Sequence, residues 1–176
     1  DAREHWGGQT ALIWAAAQGQ APMLRFLLSK GADPNARSTV RDWARRITAE
    51  GRPKDMNRGG LTPLLYAARE GHIDSVRALL AGKADPNLAD PDGTSALVLA
   101  LINGHWDTAK LLIEGGADVN QWDLYGQSPL YMAVDIKTVE SGGRIELPTY
   151  DVTTPQDIVK RLLEKGANPN LQLKLR

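Results

Sequence analysis

Apolar residues in this chain fall in short runs with helical spacing, and the runs come in pairs. Leu64, Tyr66, Ala67 and Ala68 follow Thr62-Pro63; beyond Gly71 come Val76, Leu79 and Leu80. Recurrence at three and four residues puts each set on one face of a helix. The second member of the pair returns as Leu24, Leu27 and Leu28, as Ala109, Leu112 and Ile113, and as Val159, Leu162 and Leu163. Thr or Ser just ahead of each first run predicts a helix N-cap. Pro63 and Pro129 suit the first helical position, because the N–H they lack would find no partner there. Gly19, Gly71 and Gly104 are predicted to stop the first helices, and Gly31, Gly116 and Gly166 the second ones. A turn rich in Asn and Asp then leads to Gly8, Gly60, Gly93 or Gly126.

The pairs are copies of one unit. Gly31-Ala32-Asp33-Pro34-Asn35, Lys83-Ala84-Asp85-Pro86-Asn87, Gly116-Ala117-Asp118-Val119-Asn120 and Gly166-Ala167-Asn168-Pro169-Asn170 stand 52, 33 and 50 residues apart. Thr10-Ala11-Leu12, Thr62-Pro63-Leu64, Ser95-Ala96-Leu97 and Ser128-Pro129-Leu130 stand 52, 33 and 33 apart. The longer intervals, 52 and 50, are each one period plus an insertion, and the two insertions fall in different places. The predicted organisation is a single domain over 1–176, with repeats at about 5–37, 57–89, 90–122, and 123–136 plus 154–170. The insertions are then about 38–56 and 137–153. A two-helix unit of this size cannot bury its own apolar face, whereas a row of copies can. The expected fold is all-α: four stacked helix-turn-helix repeats.

The stretch GGLTPLLYAAREGHIDSVRALLAGKADPN resembles the ankyrin repeat almost throughout, and the other copies agree with it in register. The resemblance covers about four-fifths of the chain. It implies an ankyrin-repeat solenoid, elongated and right-handed, with turn or hairpin fingers. The irregular, insertion-bearing array is similar to bacterial ankyrin proteins, some of them exported. Departures from the family pattern are specific. Its His after Thr-Pro-Leu is replaced by Ile13, Leu65, Val98 and Tyr131, so packing must stand in for the hydrogen bond of that imidazole. Lys83 occupies a Gly position, so that helix end is either strained or shifted onto Gly82.

Family members bind other proteins with the turn tips and the exposed side of the first helix. Carried over by position, this gives Trp6 and Gln18 in the first repeat, and Arg58, Leu61, Arg69 and Glu70 in the second. The third gives Asp92, Ile102 and Asn103; the fourth gives Trp122, Leu124, Tyr125 and Ile136. Several are apolar or aromatic where polar residues would be unremarkable, as in contact surfaces. In the first insertion Val40, Trp43, Ala44 and Ile47 recur at helical spacing among arginines, which predicts a small basic helix at the fingertip edge. The second reads as loop on the opposite edge, with a hairpin turn at Gly142-Gly143, before Thr154-Pro155 restarts a helix.

Composition narrows the functional classes. No run approaches ~18 apolar residues, so no membrane insertion is expected. The chain has no cysteine, which removes disulfides and thiolate zinc sites and leaves the compartment open: soluble, cytoplasmic or exported. Lys plus Arg and Asp plus Glu number 21 each, so no overall field draws the chain to nucleic acid. The balance is polarised, with 10 basic and 6 acidic residues up to Arg58 and 11 basic and 15 acidic beyond it. The chain opens at Asp1 with neither initiator Met nor signal-peptide pattern, and is expected to be processed or cut from something longer.

Chemistry-bearing patterns are sparse. His72 and His105 hold equivalent places 33 residues apart and read as a structural ladder; His5 lies near no Ser or carboxylate at a telling interval. Asp90 and Asp92 before Gly93 resemble the start of a calcium loop whose remainder is missing. No cofactor, no metal and no catalysis by this chain are expected. The expected function is a non-catalytic protein-protein interaction scaffold that binds a protein or peptide on its concave face. Two alternatives are a self-associating segment, stacked end to end through terminal repeats that lack polar caps, and a substrate-positioning module of a larger enzyme.

Overall fold

A computed structural model describes residues 1–41, 58–138 and 151–171. Among them are eight helices and no strand beyond two isolated bridges. The helices pair as α1 (Ala11–Ala17) with α2 (Ala21–Ser29), α3 (Pro63–Arg69) with α4 (Ile73–Ala81), α5 (Ala96–Ile102) with α6 (Trp106–Glu114), and α7 (Pro129–Thr138) with α8 (Pro155–Glu164). Helices α1, α3, α5 and α7 pack in sequence as one row, and α2, α4, α6 and α8 as a second. The result is a two-layer helical solenoid.

Local chemistry explains the elements. The side chains of Thr10, Thr62, Ser95 and Ser128 accept hydrogen bonds from the backbone N–H three residues on. The first three of these helices are only two turns long, too short to stand alone in water. Packing holds them, and Ala15, Ala16, Ala67, Ala68, Ala100 and Ala133 are all buried along that row. Helix α7 runs on to Thr138 because Lys137 fills the position where Gly19, Gly71 and Gly104 stop the other copies. The Leu-rich faces of the second row lock the layers together. Leu24, Val76, Leu79, Ala109, Leu112 and Leu162 are sealed from solvent and belong to one continuous apolar core. Each buried leucine contributes roughly 2 kcal/mol from its transfer out of water.

Polar links run from repeat to repeat. Asn35 Oδ1 accepts from the Asp85 N–H at 2.9 Å, Asn87 Oδ1 from Asp118 at 2.7 Å, and Asn120 Oδ1 from Asn168 at 2.8 Å. His72 Nε2 bonds to the Ala17 carbonyl at 3.3 Å, and His105 Nε2 to the Arg69 carbonyl at 3.1 Å. At the last junction there is no histidine, and Asp107 takes over by accepting from the Val152 and Thr153 N–H groups. Burial pushes the Asp107 carboxyl up, but these hydrogen bonds outweigh it and hold the group below its usual value. Ile13, Leu65 and Val98, which replace the family imidazole, are fully buried, and Tyr131 partly so.

One element differs from its expectation. Val40 does not begin a helix. It forms an antiparallel bridge with Gly59, flanked by hydrogen bonds from Arg41 N–H to the Arg58 carbonyl and from Ser38 N–H to the Leu61 carbonyl. The chain segments entering and leaving the first insertion therefore pair as a stem, which helical spacing of apolar residues could not foretell. Trp43, Ala44, Ile47 and the Gly142-Gly143 turn lie outside the described residues.

Candidate functional site: a cleft between fingers and inner helices

The turns that precede α5 and α7 are built alike. Asp90 Oδ1 accepts from the Asp92 and Thr94 N–H groups at 2.9 and 2.8 Å. Asp123 Oδ1 accepts from Tyr125 and Gln127, both at 2.9 Å. Each carboxylate thus folds its finger back onto the start of the next helix. Between these fingers and the ends of α3 and α5 lies a cleft of about 290 Å³. Leu61, Leu99, Ile102 and Tyr125 supply its apolar surface; Arg58, Arg69, Asp90, Asp92 and Asp123 supply its charges.

The charges are unevenly matched. Arg58 Nη1 lies 3.2 Å from Asp92 Oδ1. Arg69 Nε lies 2.8 Å from Glu70 Oε1, with its guanidinium 5.0 Å above the Tyr66 ring. No basic side chain among the described residues forms an ion pair with Asp90 or Asp123. Burial pushes the Asp90 carboxyl above its ordinary value, offset in part by the Thr94 and Asp92 N–H groups. Burial does the same to Asp123, and the charge of Asp90 adds to it. Asp90 thus raises the proton affinity of the buried Asp123, and Asp92 that of Asp90, so negative charge is crowded at this edge of the cleft.

Six of the residues selected from sequence meet at this cleft: Arg58, Leu61, Arg69, Asp92, Ile102 and Tyr125. Leu61 corrects its expectation of exposure. It is only 4% exposed, because its backbone pairs with Ser38 and its side chain joins the core, so it forms floor and not rim. Ile102 is partly buried. Trp6, Gln18, Glu70, Asn103, Trp122 and Leu124 are exposed but lie outside the cleft lining. Helix α7 contains Ile136, whose side chain is outside the described set. Sequence selection passed over Asp90, Asp123, Leu99 and Gln127. The first two repeat at an interval of 33, each three residues before a Gly, and that is the signal the sequence offers; both residues build a turn and line the cleft.

Among the described residues, no group of three or more His, Cys, Asp or Glu is placed to hold a metal ion, and no helix is long and apolar enough to cross a membrane. The family model for ankyrin repeats in three copies matches residues 64–141, and that for a single ankyrin repeat matches 7–39 and 125–174. The chain is 32% identical over 84 residues to palmitoyltransferase Hip14 of Drosophila melanogaster. It is 34% identical over 84 residues to a protein of Danio rerio named "Putative palmitoyltransferase ZDHHC13". Each match covers 48% of this chain and 10% of the relative, so the matched part is a small fraction of those proteins. Both are animal proteins, and neither speaks for a bacterial-type array.

Proposed function

This chain belongs to the ankyrin-repeat family, whose repeats are in general protein-protein interaction modules, and from that premise we propose that it binds a segment of a partner protein in the cleft between its second, third and fourth fingers. The observation that carries the reading is the cleft itself, where apolar surface from Leu99, Ile102 and Tyr125 adjoins the carboxylates of Asp90 and Asp123. A fitting segment presents an apolar side chain next to a lysine or arginine. Binding works by preorganisation: the stack orders these groups beforehand, so little entropy is lost on association. The proposed single domain of four repeats supports this reading as a scaffold. The names of the two relatives favour a second reading, in which the repeats recruit a protein substrate to a longer enzyme.

The test is selection of peptides from a displayed random library, followed by titration. Basic-apolar sequences are expected to emerge. Tyr125→Ser and Asp123→Asn should each weaken their binding by about tenfold, while Leu124→Ser, outside the cleft, leaves it unchanged. Asn keeps the acceptor that holds the turn, so Asp123→Asn removes charge alone. Equal binding by all four proteins overturns the proposal.

A further inference from the structure

The cleft is charged unevenly along the row of repeats. Both of its arginines, Arg58 and Arg69, come from the second repeat, whereas Asp90 and Asp123 come from the fingers of the third and fourth. The two arginines are engaged differently. Arg58 is tied to Asp92 of the next finger at 3.2 Å. Arg69 forms its ion pair with Glu70, its neighbour in sequence, through Nε at 2.8 Å. The side chains of that pair are 33% and 43% exposed, so water screens it and it is readily exchanged for another carboxylate. A guanidinium carries five N–H donors. The four on the terminal nitrogens of Arg69 meet no acceptor among the described residues.

These donors are free, yet the group is held in place. The guanidinium lies over the Tyr66 ring at 5.0 Å, a stacking that orients it. Gln9 Nε2 fixes that ring by donating to the Tyr66 hydroxyl at 3.0 Å. His105 Nε2 bonds to the Arg69 carbonyl at 3.1 Å and fixes the backbone from the other side. The repeats before and after thus both position one arginine at the end of α3, on the cleft wall.

We propose that Arg69 selects an acidic side chain in the bound segment, so that the partner's motif is dipolar. An Asp or Glu sits at Arg69, apolar residues cover Leu99, Ile102 and Tyr125, and a Lys or Arg sits at Asp90 and Asp123. This holds only if the cleft is the binding site proposed above, to which it adds a second charge and a spacing. The terminal N–H groups of a guanidinium match the two oxygens of a carboxylate, which a lysine in that place could not do. Asp90 and Asp123 stand one and two repeats beyond Arg69. Packed helices lie about 8–10 Å apart, and an extended chain advances about 3.3 Å per residue. The acidic and basic residues of the motif therefore stand about three to six positions apart. A segment with a second basic residue in place of the acid meets like charge at Arg69 and is rejected.

An end-blocked synthetic peptide from the library selection tests this, made with Glu and with Gln at the acidic position. Blocked ends remove the terminal carboxylate as a source of charge. The parent is expected to bind the Glu form about tenfold more tightly than the Gln form, and Arg69→Gln to bind the two alike. Glu70→Gln removes the carboxylate that competes for Arg69, and should tighten binding of the Glu form about threefold, a gain that misfolding cannot produce. Selected sequences without Asp or Glu in that interval overturn the proposal. So does an equal preference for Glu in the parent and in Arg69→Gln; if Asp123→Asn still weakens binding, the cleft stands and only the role of Arg69 falls. If Asp123→Asn changes nothing either, the cleft falls as the binding site and this inference with it.

Discussion

Lys83 leaves α4 with φ +66, the conformation that Gly31, Gly116 and Gly166 adopt in the other copies. A side chain there crowds the following carbonyl, at a cost of about 1–2 kcal/mol. Sequence alone left two outcomes open, strain at Lys83 or a shift of the helix end onto Gly82. The structure shows strain, because Gly82 serves another purpose. A Cβ on Gly82 would come within 2.7 Å of Leu28 Cδ1, so that glycine is spent on close contact with the previous repeat. Lys83→Gly is therefore expected to stabilise the chain by about 1 kcal/mol, less the entropy gained by the unfolded chain, and to raise the midpoint of urea unfolding. Individual caps were legible in the sequence because a Thr or Ser beside a helix start has one good use. The burial of Leu61 was not, because it depends on Ser38, which lies across the first insertion.

At the scale of elements, the stop signals of the first-row helices have unequal weight. Gly71 and Gly104 have nearly the same backbone, at φ +71 and +73. A Cβ on Gly71 would lie 2.5 Å from His105 Nδ1, whereas one on Gly104 would meet nothing within 4 Å. The difference arises because the last junction uses Asp107 where the earlier ones use a histidine. Gly104→Ala should cost about 1 kcal/mol from backbone strain alone. Gly71→Ala should cost a further 1–3 kcal/mol as the imidazole is displaced from the Arg69 carbonyl. Comparison of urea midpoints checks this, and equal losses would show that the His105 contact carries no energy. Helix positions followed from hydrophobic spacing, but the run of α7 through Lys137 to Thr138 enters a stretch expected as loop, and its signal, the missing glycine, went unused. The paired stem at Val40 and Gly59 escaped because a few residues of bridge have no periodicity to read.

For the whole molecule, the intervals of 52, 33 and 33 already implied four leaning units, since that period is unstable unless each copy covers the next. The cleft was only half legible. Position within a repeat pointed to Arg58, Arg69, Ile102 and Tyr125, but it could not say which residues from neighbouring repeats would converge. That depends on the offset between stacked copies, which brings the finger carrying Asp123 over the helix carrying Ile102. Nor could it show that the Asp90 and Asp123 turns share a partly buried, like-charged environment. The most direct measurement is hydrogen–deuterium exchange of the chain with and without a selected basic peptide. Slowed exchange should be confined to residues 58–62, 90–94 and 123–127 and to the ends of α3 and α5. Protection concentrated instead on α4, α6 and α8 would contradict binding in the cleft.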